Sequence, residues 1–115
     1  METVNQLLAA ITGRGLSVFA QFDHAAGARE VDMELDPEMV VVFGNPRAGT
    51  PLMRDDPRIG IELPLRIVVW SGDDATMIGY NDPRGLADTY DVGEHAQTLE
   101  AMAVLLAELV QEAAA

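Results

Sequence analysis

The chain has 115 residues, of which 19 are acidic and 7 basic, for a formal net charge of −12, and it has no cysteine. That length can bury a core without disulfides or metal. The missing thiols exclude a disulfide framework, a cysteine-held iron–sulfur cluster and thiol catalysis. All the basic residues are arginine, and so acidic a surface disfavours both nucleic-acid backbones and anionic membranes as partners.

His24 and His95 are the only imidazoles, and neither has the local spacing of a zinc site, so no metal and no cofactor is expected. The opening METVNQLLAAIT has no basic segment followed by a long apolar run, unlike a secretory signal. The most apolar stretch, AMAVLLAELV, is too short to span a bilayer and holds Glu108. The expectation is a soluble, cytoplasmic protein.

In chain order, Val4, Leu7, Leu8 and Ile11 fall on one face of an amphipathic helix, with Thr3 as its N-cap and Gly13 and Gly15 as its stop. LSVFAQFD, Leu16 to Asp23, alternates as a strand. HAAGAREV has no clear period, and Gly27 marks a turn. VDMEL, Val31 to Leu35, reads as a short exposed strand ended by Asp36-Pro37. MVVVF, Met39 to Phe43, is a well-covered strand that Asn45-Pro46 breaks. Thr50-Pro51 resembles a helix start, threonine as N-cap and proline at the first helical position. Leu65 to Trp70 and Thr76 to Tyr80 form a hairpin around Gly72-Asp73-Asp74. Asp82-Pro83 opens a short helix running toward Tyr90.

The last segment, His95 to Ala113, is strongly helical, and Ala101 to Ala107 holds no polar residue. A helix so apolar around its circumference needs two partners. The sheet supplies one; the other is a second copy of the chain or a neighbouring element of the same monomer. The pattern describes a two-layer α+β domain, a mostly antiparallel sheet packed against helices.

FGNPRAGTPLM, then DPRIGIELPLRIVVW and YNDPRGLADTY, with VFAQFDHAAGA before them, are similar to the DUF302 family. The resemblance treats residues 1–115 as one DUF302-like domain. It implies a TT1751-like α+β fold and a homodimer, formed through the C-terminal helix or the sheet. It marks His24, Asn45, Pro46, Gly49, Thr50, Pro51, Met53, Leu63 to Leu65, Tyr80, Asn81 and Pro83 as motif positions. It implies no activity.

Two readings stand for the Asn45–Thr50 loop. Backbone amides of Gly49 to Leu52 at a helix N-terminus, with the fork of Arg47, suit an anion. Equally, Asn45, Gly44 and Gly49 are turn formers and Pro46 and Pro51 fix φ. His24 next to Asp23 is either an acid/base group or a capping residue. Tyr80 either offers its hydroxyl to a pocket or keeps a buried body with a wet tip. Asp82 is first of all a helix cap.

The expected function is therefore a non-catalytic, homodimeric domain that binds a small ligand, anionic if Arg47 reads it. Its ligand-binding residues would be Asn45, Arg47, Gly49, Thr50 and Tyr80. The rivals are an enzyme using His24 as acid/base, with Tyr80 or Asn45 beside it, and a purely structural interaction domain.

Overall fold

The stripe Val4, Leu7 and Ile11 is the buried face of helix α1 (Glu2–Gly13) in the computed structural model, which describes residues 1–115. The helix starts two residues earlier than its sequence suggests, with Met1 and not Thr3 at the cap position. Gly15 ends it with φ +74°, a conformation only glycine adopts without strain, while Leu16 N–H reaches back to the Ile11 carbonyl at 3.3 Å.

Four strands follow: β1 (Ser17–Asp23), β2 (Glu38–Gly44), β3 (Leu65–Ser71) and β4 (Thr76–Gly79). They pair in chain order and are antiparallel throughout. A bulge between Val18 and Ala20 shifts the register of β1. Val41, Phe43, Ile67 and Val69 point from the sheet to one side. There they meet α1 and the last helix α5 (Ala96–Ala114), which brings Leu106, Leu109 and Ala113. Arg14 bridges Glu108 and Glu112, tying the end of α1 to α5.

Two expectations between β1 and β2 are corrected. His24–Glu30 is a helix, α2, capped by Asp23, whose Oδ1 accepts from Ala26 N–H at 2.8 Å. Only Ala25 is buried there, so the segment shows no apolar period, yet alanine, arginine and glutamate favour a helix. VDMEL is not a strand. Asp32 has φ +59°, in the left-handed region, and Met33 N–H bonds the Ala28 carbonyl, closing α2.

Beyond β2, helix α3 (Pro46–Asp55) and a 3-10 turn (Pro57–Ile61) carry Leu52 and Ile59 into a second core with Val92, Leu99 and Met102. A 3-10 turn (Pro83–Gly85) runs directly into the short helix α4 (Leu86–Thr89), as Asp82-Pro83 suggests. Helix α5 finds its partners inside the chain: the sheet, α1 and the second core absorb its buried residues. Of its large apolar side chains only Val104 is largely exposed.

Candidate functional site

The central loop is built by a device that recurs. The sequence contains Asn45-Pro46-Arg47, Asp56-Pro57-Arg58 and Asp82-Pro83-Arg84. In each, the first side chain caps a helical turn by accepting the arginine backbone N–H, at 2.9, 3.1 and 3.0 Å respectively. Proline fills the first helical position, where no amide donor is needed. In the two aspartate versions the arginine folds back on its own cap. Arg58 Nε and Nη2 lie 3.0 and 2.7 Å from the Asp56 carboxylate, and Arg84 Nη2 lies 2.6 Å from Asp82. Asn45 is neutral and offers no such clasp, and Arg47 forms no ion pair.

The helix therefore begins at Pro46 and not at Thr50-Pro51, which correct the sequence expectation by sitting inside α3. The first turn has no free amide: Pro46 has no N–H, the Asn45 side chain accepts Arg47 N–H, and the Asn45 carbonyl accepts Ala48 and Gly49 N–H at 3.0 and 3.3 Å. Two cap-and-proline pairs, five residues apart, compete. The one directly after the strand wins, and Pro51 forgoes one helix hydrogen bond.

On the inner side of this helix start lies a cleft of about 560 Å³. Phe19, at the bulge of β1, and Leu63 and Pro64 form one side. Ala101, Met102 and Leu105 of α5 form the other. Gly49 sits on the wall, where an added Cβ would stand 3.4 Å from Leu63 Cδ1. The polar groups are few: Asn45, Gln97 and Thr98. No lining side chain titrates.

The five ligand-binding candidates do not converge. Asn45 and Gly49 line this cleft. Arg47 and Thr50 lie with Arg54 on the opposite, outer face of α3, in a shallow depression. Tyr80 belongs to a second cavity beyond the end of β4. His24 is exposed at the first turn of α2 and makes no side-chain hydrogen bond. Asp23 pairs with Met39, and Ser17, at the other end of β1, pairs with Gly44 beside Asn45. His24 and Asn45 thus sit at opposite ends of a seven-residue strand, roughly 20 Å apart.

The residues from α5 were not foreseen. Their signal was the polar-free run Ala101 to Ala107, which suggested a surface for a second chain. Ala101, Met102 and Leu105 of that run line the cleft.

Elsewhere the polar chemistry ties segments together. Asp56, only 4 % exposed, also accepts Asp91 N–H at 2.9 Å. The hydrogen bonds from Arg58, then that from Asp91, hold its carboxyl well below the usual carboxylate range. The Tyr90 hydroxyl donates to Glu62 at 2.8 Å, and that bond raises the tyrosine pKa. His95 Nε2 lies 2.6 Å from Asp55.

A family model described as "Domain of unknown function DUF302" matches residues 1–110. A protein of Brucella suis named "Fluoride-specific ion channel FluC 1" is 39% identical over 93 residues, which are 80% of this chain and 37% of that protein. A Brucella abortus protein of the same name shows the same identity over 80% of this chain and 34% of its own length. The chain thus spans about a third of the length of these curated relatives. The crystal structure of an "uncharacterized conserved protein DUF302 from Bacillus stearothermophilus" superposes with a TM-score of 0.85. That match covers 97% of this chain and 88% of the other at 20% identity, a likeness of fold.

Proposed function

The chain belongs to the DUF302 family, and we propose that it is a binding domain whose ligand, a small molecule with an apolar body, occupies the cleft beside Asn45. The observation that carries this reading is the cleft itself. Its volume of about 560 Å³ and its apolar walls with three polar side chains are what small-molecule sites present. Asn45, Gln97 and Thr98 would orient one polar end of the ligand. The lack of a titrating side chain favours binding over acid–base catalysis. Arg47 lies outside the cleft, so the ligand need not be an anion.

The test uses octanol, cyclohexanol and naphthol as probes and the methyl resonances of Met53 and Met102 as reporters. At least one probe should shift both methyls saturably. Ala101→Phe, at an exposed helix position, should fill the cleft and abolish the shift while the protein stays folded. Methyls that ignore every probe, or binding that survives Ala101→Phe, would refute the proposal.

A second copy is the partner that the other sheet face favours. The helices α1 and α5 cover one face only. Phe22, Val40, Val68 and Met77 share the other, with Phe22 53% and Met77 45% exposed. Strand dimensions give that face roughly 400 Å², about half of what one partner gives a standard interface. The dimer should therefore be weak unless the exposed Val31, Met33 and Leu35 join it. Sedimentation equilibrium should show association that Phe22→Asp abolishes. A monomer at millimolar concentration would remove this partner.

In the Brucella proteins the matching segment forms part of a longer chain named for fluoride conduction. That setting supports a module joined to other domains. No helix of this chain is long and apolar enough to cross a membrane, so conduction is not carried over to it.

A further inference from the structure

A second cavity, of about 350 Å³, opens where β4 stops and leaves the Leu65–Ile67 end of β3 unpaired on that side. Alternation along β3 puts Arg66, Val68 and Trp70 on one sheet face, and all three line the cavity. Trp70 is the only tryptophan in the chain. Its ring passes over Gly79, where an added Cβ would come within 3.2 Å of Cζ3. Glycine at that point lets the indole rest against the β4 backbone. Glu62, Tyr80, Asn81 and Asp82 form the polar rim.

The rim groups differ in what they already hold. Asp82 is clasped by Arg84, and Glu62 accepts the Tyr90 hydroxyl. Arg66 forms no ion pair; its one side-chain hydrogen bond is a long one, 3.4 Å, to the Ile61 carbonyl. The Tyr80 hydroxyl and the Asn81 amide make no hydrogen bond within the fold. The cavity therefore joins one guanidinium outside any ion pair, the Glu62 carboxylate bound to a neutral hydroxyl, two uncommitted polar groups and an indole.

A guanidinium presents a planar fork that matches a carboxylate, and an indole face accepts a flat ring. We propose that this cavity is a second ligand site, for a small planar carboxylate whose ring lies on Trp70 and whose charge is held by Arg66. Tyr80 and Asn81 supply hydrogen bonds at the polar edge. The site is independent of the Asn45 cleft. In a chain of net charge −12 most of the surface repels anions, so such a ligand is held only where an arginine is left free.

Trp70 makes the test direct. Benzoate, benzyl alcohol and benzamidine are titrated against tryptophan emission at two protein concentrations, which separates ligand quenching from self-association. Benzoate should change the emission saturably and bind at least tenfold tighter than benzyl alcohol. Arg66→Met should remove most of that preference with the circular dichroism unchanged. Arg66→Lys, which keeps the charge and loses the fork, should fall between. Ala101→Phe, in the other cleft, should change nothing. No saturable response to benzoate, full binding by Arg66→Met and Arg66→Lys, or tighter binding of benzamidine would each overturn the proposal. The last result would hand the cavity to Glu62 and Asp82.

Discussion

Replacing Asn45 by aspartate should convert the one open clasp into a closed one. Aspartate caps a helix about as well as asparagine, so the bond to Arg47 N–H survives at little cost. A negative charge at the start of α3 gains about 0.3–1 kcal/mol from the helix dipole. An exposed Asp–Arg pair in the geometry of Asp82–Arg84 adds about 0.2–1 kcal/mol. Self-repulsion in a chain of charge −12 subtracts a little. The net expectation is a gain of about 0.5–1.5 kcal/mol. For a chain of this length that raises Tm by roughly 2–8 °C at low salt, and by less at high salt. Thermal unfolding followed by circular dichroism gives the first number, and the Arg47 Nε–H resonance reports whether the guanidinium has folded back. A lower Tm, or an Arg47 side chain as free as before, would show that the Asp-Pro-Arg clasp depends on its surroundings and not on the carboxylate.

Two further outcomes follow from the second core and its polar strap. The folded state depresses the Asp56 pKa, so its ionised form contributes stability above the ordinary carboxylate value of about 4. That contribution is lost as the pH falls below it. Urea midpoints measured on descending from neutral pH should drop steeply in acid, and less steeply for Asp56→Asn; identical slopes would deny Asp56 this role. Leu52 is fully buried on the inner face of α3, and Leu52→Ala should cost about 2–5 kcal/mol in urea unfolding. It should also loosen the cleft wall and weaken binding there. A cost below 1 kcal/mol would mean that the site collapses around the missing side chain, contrary to close packing.

Elements with a strong period were legible. Val4, Leu7 and Ile11, the MVVVF run and the hairpin fold as read, because packing and propensity agree there; LSVFAQFD does form a strand, but the bulge at Phe19 turns Val18 and Phe22 to opposite faces, so its alternation does not make one buried face. α2 was hidden because only Ala25 is buried, which leaves capping by Asp23 as the signal. The start of α3 was misplaced because Thr50-Pro51 carries the same chemistry as Asn45-Pro46. Only tertiary position separates them: α3 must leave β2 immediately for Leu52 to reach Ile59 and Leu99. The clefts were beyond sequence reading, since each is assembled from segments far apart in the chain. The threefold Asx-Pro-Arg pattern, by contrast, was in plain view, and it distinguishes Arg47 from Arg58 and Arg84 without coordinates.

Most of the motif positions that the family resemblance marks border the cavities, although the blocks around them also hold Phe43, Ile67 and Val69 of the main core. Asn45, Pro46, Gly49, Met53 and Leu63 to Leu65 border the Asn45 cleft, and Tyr80, Asn81 and Pro83 border the second cavity. The sheet core of Val41, Phe43, Ile67 and Val69 needs only apolar residues of suitable volume, a demand that many sequences meet. A turn capped by Asn45, a wall thinned by Gly49 and a rim carrying Tyr80 and Asn81 demand particular residues. Leu65 borders both cavities, and the neighbouring residues Leu105 and Leu106 of α5 divide between them. The binding of small molecules proposed above would account for the placement of these residues around the two cavities.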